Sequence, residues 1–533
     1  MFSETLLLVL VLLFAVFLLT MLAQKLKISY PIFLVIAGLG ISFIPGIPKI
    51  EIEPEMVFLI FLPPLLYESA WYTSWNDFWK WRRPIAMLAF GLVFFTSIIV
   101  AFVSTAMIPG FTLAMGFLLG GIISPPDAVA ANSVLKHIKI PKRLTTVLEG
   151  ESLINDASSL IVFRFALAAI LSGQFSMEQA IGQFFLSAGM GVLIGLVIAH
   201  IVYVVHRFLP TTPSIDAALT LMTPYFMYIA AEHFHFSGVM AVVSGGLFLS
   251  YRSHEILSHS ASRIQAISVW ATLAFVLNGL VFILIGLELP VIMESLGNYA
   301  ITEAINYGLI ISMTIIIIRL LYTLLLAYIP VWLGNTKRAD PVNPLWKGSV
   351  IVGWAGMRGV VSLASALSIP LLLRSGEAFP HRSLILFITF IVILVTLVFQ
   401  GLTLPMVIKW TGIKDIEDFA PEGEQEAGIR LRLMQAALRR LNEKFATDAT
   451  ENELIGFLKK QLESDISITN QQLESLECDT TEKVEIARYN TVLMDIYSIQ
   501  RKELYQLRKE KMFSDEQIRK QENQLDLDEA RLT

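Results

Sequence analysis

The sequence predicts an all-α polytopic membrane protein, with about thirteen transmembrane helices in two inverted six-helix repeats with crossed broken helices, plus a helical cytoplasmic C-terminal domain. Three observations predict it. Of 533 residues, 55% are hydrophobic and 16% charged, whereas a soluble domain carries about a quarter charged residues. Apolar runs of spanning length recur from Leu6 almost to Lys409. Basic residues fall in every second connection between those runs. This composition argues against nucleic-acid partners, disordered scaffolds and secreted disulfide folds, and the single cysteine, Cys478, has no partner for an internal bridge.

The runs begin near Thr5, Ser29, Glu55, Pro84, Thr112, Lys142, Ala180, Ser214, Ser237, Ala266, Thr302, Lys347 and Ser383. The first lacks a basic leader and a small-residue cleavage site, so it reads as a membrane helix rather than a removed signal peptide. The ninth, Gly238 to Tyr251, is short enough to be tilted or partly re-entrant. One set of connections holds Lys25 and Lys27; Lys80, Arg82 and Arg83; Lys136, Lys139, Lys142 and Arg143; Arg207; Arg252 and Arg263; Lys337 and Arg338. The other holds only Lys49, Arg374 and Arg382. The positive-inside rule puts the first set in the cytoplasm, the N-terminus outside and the C-terminal tail inside. The membrane domain is expected over residues 1–412. Residues 413–533 read as an acidic, helical, cytoplasmic tail, with Ile429, Leu433, Ala437 and Leu441, and then Leu454, Leu458 and Leu462, at helical spacing. An amphipathic tail of this kind packs on itself or on a twin.

A charged side chain at mid-bilayer costs about 2.5–3.5 kcal/mol on insertion scales, so each one demands a reason. The third run carries Glu68 just after Pro63 and Pro64. In the fifth, Gly120 and Gly121 precede Pro125, Pro126 and Asp127. Two successive prolines remove backbone donors within an apolar run, which predicts a broken helix whose freed carbonyls suit a cation. In the sixth, Ser152, Asn155, Asp156 and Ser159 share one helix face, with Glu151 at its edge. Hard monovalent cations take oxygen ligands of this kind, by extension from calcium and magnesium, although Ser159 also fits simple close packing. The twelfth carries Arg358 among Gly353, Gly356 and Gly359, which predicts a second break and a carboxylate partner for the arginine, Glu151 or Asp156. Arg164 and Arg319 also lie near or within runs, Arg319 as a candidate structural ion pair. The two interrupted runs are an odd number of spans apart and so run in opposite directions. They are the fifth of each repeat if spans one to six and eight to thirteen are inverted repeats.

Taken together, FLPPLLYESA, SPPDAVAANSVLK, EGESLINDASSLIVF, MTPYFMYIAAEHFHFSGVMAVVSGGL, FVLNGLVFILIGLEL and GWAGMRGVVSLA resemble the monovalent cation:proton antiporters of the sodium/proton exchanger type, especially bacterial NhaP-like members. The resemblance covers about Pro31 to Met406 and leaves the tail out. It implies that Asp156 alternately binds cation and proton, with Asp127 beside it, and that Asn155, Ser152 and Glu68 complete the site. It also implies an ion pair between Glu151 and Arg358. An Asn-Asp pair goes with electroneutral exchange in this family. The sequence departs from the pattern at Pro126-Asp127-Ala128, where many relatives have Thr-Asp-Pro, so a threonine ligand is missing. The implied cargo is sodium, lithium or potassium with protons, with no cofactor, in a homodimer of the cell membrane serving pH and sodium homeostasis. A potassium/proton antiporter and a cation channel are the alternatives.

Other readings are weaker. No G-x-G-D or G-x-S-x-G supports an intramembrane protease. His254 and His259 are five residues apart and diverge by about 140° on a helix, which does not suit a zinc site. Glu232, His233 and His235 read as a solvated outer cluster, with Glu232 as a helix-end carboxylate.

Overall fold

The computed structural model describes residues 2–45, 57–136, 138, 140–172, 177–257, 260–296, 299–332, 344–373, 376–413, 422–446, 452–477, 481–510, 517–518, 521 and 524–526. Of the residues named from the sequence, Lys49, Glu55, Lys139, His259, Lys337, Arg338, Arg374 and Cys478 lie outside them. The chain divides into two compact units, Met1–Asp415 and Ile416–Thr533.

Among the described residues, the regular structure of the first unit is helical, apart from an isolated bridge between Leu372 and Ala378. It opens with α1 (Phe2–Leu26), α2 (Tyr30–Ser42), α3 (Leu62–Tyr72), a short α4 (Trp75–Lys80) and α5 (Arg82–Met107). A broken pair follows, α6 (Leu113–Ile123) and α7 (Ala128–Leu135), then the long α8 (Lys142–Ser172), α9 (Met177–Phe208), α10 (Pro213–His233) and α11 (Gly238–Tyr251). After the short α12 (Ser253–Ile256) come α13 (Ser260–Leu287), α14 (Leu289–Ser295) and α15 (Ile301–Trp332). A second broken pair, α16 (Leu345–Trp354) and α17 (Val360–Leu367), leads to α18 (Arg382–Thr411). Among the described residues, eight helical stretches are long and apolar enough to cross a membrane. Thr112, Thr212 and Ser237 start α6, α10 and α11 by accepting the backbone N–H of Met115, Ile215 and Met240.

Wide π turns interrupt α5 at Met87–Leu92 and α18 at Val395–Gln400, and another at Val57–Phe61 leads into α3. A π turn loosens the regular ladder, and side chains of other helices reach the carbonyls around the one in α5. Ser158 donates to the Ala89 carbonyl at 2.5 Å, and the Tyr322 hydroxyl donates to that of Met87 at 3.1 Å.

Two apolar cores organise this unit. One gathers residues of α1, α2, α5 to α8 and α13 to α18 around Leu118, Leu119, Phe282 and Phe387. The other gathers residues of α3, α4 and α9 to α12, with Ile85 of α5 and Ala266 and Trp270 of α13, around Tyr67, Met227 and Val242. Like α5 and α13, the helix α8 belongs to both, sending Leu144, Val147 and Phe163 into the first and Leu153 and Ala157 into the second. Large apolar side chains of α1, α9 and α15, such as Leu7, Phe14, Leu196, Ile201, Leu321 and Leu325, remain exposed, as lipid-facing surfaces require.

The second unit consists of α19 (Glu422–Lys444), α20 (Glu453–Glu477) and α21 (Thr481–Glu510). In α19 the inward stripe is Ala427, Leu431, Met434, Leu438 and Leu441. The stripe expected from the sequence is displaced: Ile429, Leu433 and Ala437 are exposed and only Leu441 is buried. Both series satisfy helical spacing, and packing within the unit selects the first.

Close backbone approach fixes α6 against α5. A β-carbon at Gly116 would lie 2.7 Å from the Ala101 carbonyl oxygen, and one at Gly120 would lie 2.7 Å from that of Ser97. Small residues one turn apart allow this contact in membranes. Gly120→Val is expected to destabilise the detergent-solubilised protein by about 1–3 kcal/mol, seen as a lower melting temperature. An unchanged value would mean that the two helices separate freely.

Candidate functional site

Broken helices expose backbone groups that an apolar interior cannot solvate. The breaks at residues 124–127 and 355–359 satisfy these groups through each other. The backbone N–H of Asp127 donates to the Met357 carbonyl at 2.7 Å. Arg358, 1% exposed, completes the crossing. Its Nε donates to the Ile123 carbonyl at 2.9 Å and one terminal nitrogen donates to that of Ser124 at 3.3 Å. The other terminal nitrogen donates to the Gly356 carbonyl, and its backbone N–H donates to Thr396 Oγ1 at 3.1 Å. A cation is favoured here, because the last carbonyls of α6 form the negative end of that helix.

This arrangement corrects one expectation. Glu151 pairs with Arg319 and not with Arg358. The two terminal nitrogens of Arg319 meet the two Glu151 oxygens at 2.5 and 2.8 Å, and its Nε donates to the Val352 carbonyl at 3.3 Å. Glu151 and Arg319 are 0% and 1% exposed. The reason is geometric. Arg319 on α15 presents its planar fork to the carboxylate, whereas the Arg358 donors are directed at the two helix breaks. The pair ties α8 to α15 and, through Val352, to α16.

The remaining expected residues line the seam between α7 and α8. Asp127 caps α7, its Oδ1 accepting the Val129 N–H at 2.8 Å. Asn155 Nδ2 donates to the Pro126 carbonyl at 2.8 Å, while its Oδ1 is buried without a hydrogen-bond partner. Ser152 Oγ accepts the Ala128 N–H at 3.2 Å. Asp156, 8% exposed, has Asp127 as its electrostatic neighbour. Ser159 donates to the carbonyl of Asp156 at 3.0 Å, a local helix bond, and so serves packing. The structure therefore brings Asp127, Ser152, Asn155 and Asp156 together. Glu68, half-buried on α3, shares Tyr30 with Asp127 as an electrostatic neighbour.

Gly359 gives Asp127 its room: a β-carbon there would overlap the Asp127 carboxylate. Tyr30 and Thr396 were not legible as site residues, while Arg319, expected as a candidate structural ion pair, takes that role with Glu151. Tyr30 opens α2 beside Ser29, whose hydroxyl lies 2.7 Å from that of Ser133 on α7. Its only sequence signal is a polar group at a run's start. Arg164 also has a partner: one terminal nitrogen lies 2.8 Å from each Glu232 oxygen, and Glu232 Oε1 accepts the Gly238 N–H at 3.2 Å. At the opposite end of α9, Glu255 accepts from Tyr203 at 2.5 Å and from Arg252 and Arg207 at 2.6 Å. The Tyr203 hydroxyl, then Arg252, hold its carboxyl down to about 2. His254 Nε2 lies 3.7 Å from Glu255.

Paired carboxylates where two discontinuous helices cross, within an apolar bundle, define a membrane protein of the secondary-transporter class. Comparison with known proteins places the chain within it. Residues 10–410 match the family of transmembrane sodium/hydrogen exchangers, and the chain belongs to that family. Over 440 residues, 80% of the chain, it is 34% identical to a sodium, potassium, lithium and rubidium/H(+) antiporter of Bacillus pumilus. Over 391 residues, 70% of the chain, it is 37% identical to the protein of that name from Bacillus subtilis. It spans 64% and 57% of those relatives' lengths. The solved structure of the sodium proton antiporter MjNhaP1 from Methanocaldococcus jannaschii has the same fold. It matches with a TM-score of 0.58 and 20% identity, covering 76% of this chain and 98% of that one.

Removing one partner of a buried ion pair costs about 3–5 kcal/mol, because the other charge is stranded. Arg319→Ala is thus expected to lower the melting temperature in detergent sharply, and Glu151→Leu with Arg319→Leu to recover part of the loss. Arg358→Ala is expected to destabilise as well, by leaving the carbonyls of both breaks without donors. A stable Arg319→Ala variant would remove the Glu151 pair from the fold's support.

Proposed function

We propose that the protein exchanges a monovalent cation, foremost sodium, for protons by alternating access. The observation that carries this reading is the juxtaposition of Asp127 and Asp156 while both buried arginines are engaged elsewhere, Arg319 by Glu151 and Arg358 by backbone carbonyls. Like charges in an apolar surrounding need a counter-charge. With no arginine committed to Asp156, that counter-charge is a proton or a cation, and the two compete for one carboxylate. Ser152 Oγ, the free Asn155 Oδ1 and Asp127 are the neighbouring oxygens, and Glu68 lines the approach.

Exchanging one proton for one monovalent cation at Asp156 moves no net charge, which makes the cycle electroneutral. Access alternates by movement of one apolar core against the other, with α8 at their junction. This reading assigns thirteen spans in two inverted repeats, an external N-terminus, a cytoplasmic tail and a homodimer in the cell membrane. Potassium/proton exchange is the second reading, supported by the Bacillus relatives, whose name includes both ions.

Asp156→Asn is expected to abolish cation-driven proton flux in proteoliposomes while the protein keeps its fold. In the wild type, a sodium gradient should acidify or alkalinise the lumen equally with the membrane potential clamped or free. Potassium and lithium gradients rank the cargo. Full flux in Asp156→Asn would exclude this carboxylate, and a pH-insensitive conductance would favour a channel.

A further inference from the structure

We infer that Glu149, which has no part in the site described above, is a cation-staging residue at the mouth of the path to Asp156. The inference rests on the exchange reading and assigns one further residue to the same path. Three hydrogen bonds join α8 to the antiparallel α7 and to the break just before it, in a regular ladder. Asn155 meets Pro126 at 2.8 Å, Ser152 meets Ala128 at 3.2 Å, and Asn132 Nδ2 donates to Glu149 Oε1 at 3.1 Å. The ladder grades from dry to wet. Asn155 is fully buried, Ser152 half-buried, and Glu149 exposed. On α8, Glu149, Ser152 and Asp156 are spaced i, i+3, i+7 and share one face, so Glu149 sits about 10 Å from Asp156 along the helix axis.

On α7 the half-buried residues are Ala128, Val129, Asn132 and Ser133, one continuous face that begins beside the Asp127 cap. An exposed carboxylate within the length of a membrane helix is costly against lipid. It is tolerated where polar groups face it, and Asn132 and Ser133 of α7 and Ser152 of α8 supply them at the half-buried end of this seam. Lys142, a further seven residues toward the helix start, lies 3.7 Å from Asp77, which moderates its repulsion of an entering cation. A hydrated carboxylate there attracts monovalent cations and passes them to the Ser152 and Asp127 level. Asn132 orients it, with one amide nitrogen on Glu149 Oε1.

The test uses full-length protein in right-side-out and everted membrane vesicles from an antiporter-deficient host, with sodium chloride as the probe. Glu149→Gln should raise the half-saturating sodium concentration about fivefold from the face on which Glu149 opens, with no change from the opposite face and the maximal rate held within about twofold. Glu149→Asp should restore the wild-type value, and background choline chloride should shrink the difference by screening. Asn132→Ala cuts the tie to α7 but keeps the carboxylate, and so should retain most of the apparent affinity.

Unaltered half-saturation in Glu149→Gln would overturn the assignment. So would an equal rise from both faces, or an equal effect of Asn132→Ala, since either would mark a structural tie. If the wild type exchanges no cation for protons, the exchange reading itself falls and the staging role with it.

Discussion

Backbone polar groups stripped of their helical partners inside an apolar bundle are the constraint on which this structure depends. Lipid offers no partner to satisfy them at the crossing. The fold answers by letting each break serve the other. Met357 offers a carbonyl to Asp127, and Arg358 spans from the end of α6 to the carbonyl of Gly356. Once the guanidinium is spent in this way, the acidic side chains nearby are left to be balanced by other means. The local chemistry of the site thus follows from the way the backbone is closed.

The Glu151–Arg319 pair shows a different use of charge. Two fully enclosed ions with matched forks hold α8, α15 and α16 together. Desolvation of both ions offsets much of their attraction, so the pair contributes orientation more than stability. It fixes the rotation of α8 about its axis. That rotation determines which of its residues face α7, since Ser152 is the next residue and Asp156 lies just over one turn beyond. A helix shared by two apolar cores needs such a pin, because apolar packing alone tolerates small rotations.

Much of this was legible in the sequence, for physical reasons that can be named. Successive prolines after paired glycines mark a break because they delete donors, and Pro125 and Pro126 do so before Asp127. The glycines around Arg358 announced the second break. The i, i+3, i+4 spacing placed Ser152, Asn155 and Asp156 on one face. The partner of Glu151 was not legible, because it lies 168 residues away and two buried arginines competed for it. Choosing between them required the crossing of α15 with α16, which no local pattern encodes. Tyr30 was hidden for the same reason, since its relation to Asp127 arises only when α2 meets α7. In the tail, two overlapping apolar series in α19 had the same period, and periodicity could not rank them.

The absent side chain at Gly359 has a consequence for how this protein tolerates change. The volume a methyl group would occupy there is already filled by the carboxylate of Asp127, which itself starts α7 through the Val129 N–H. Positions 127 and 359, far apart in the chain, therefore form one steric unit. Alanine at 359 would evict the acid from its cap and unseat the first turn of α7, whereas a shorter residue at 127 would open space for it. A side chain at 359 is therefore permitted only if residue 127 shortens in step, whereas position 127 can shrink without any change at 359.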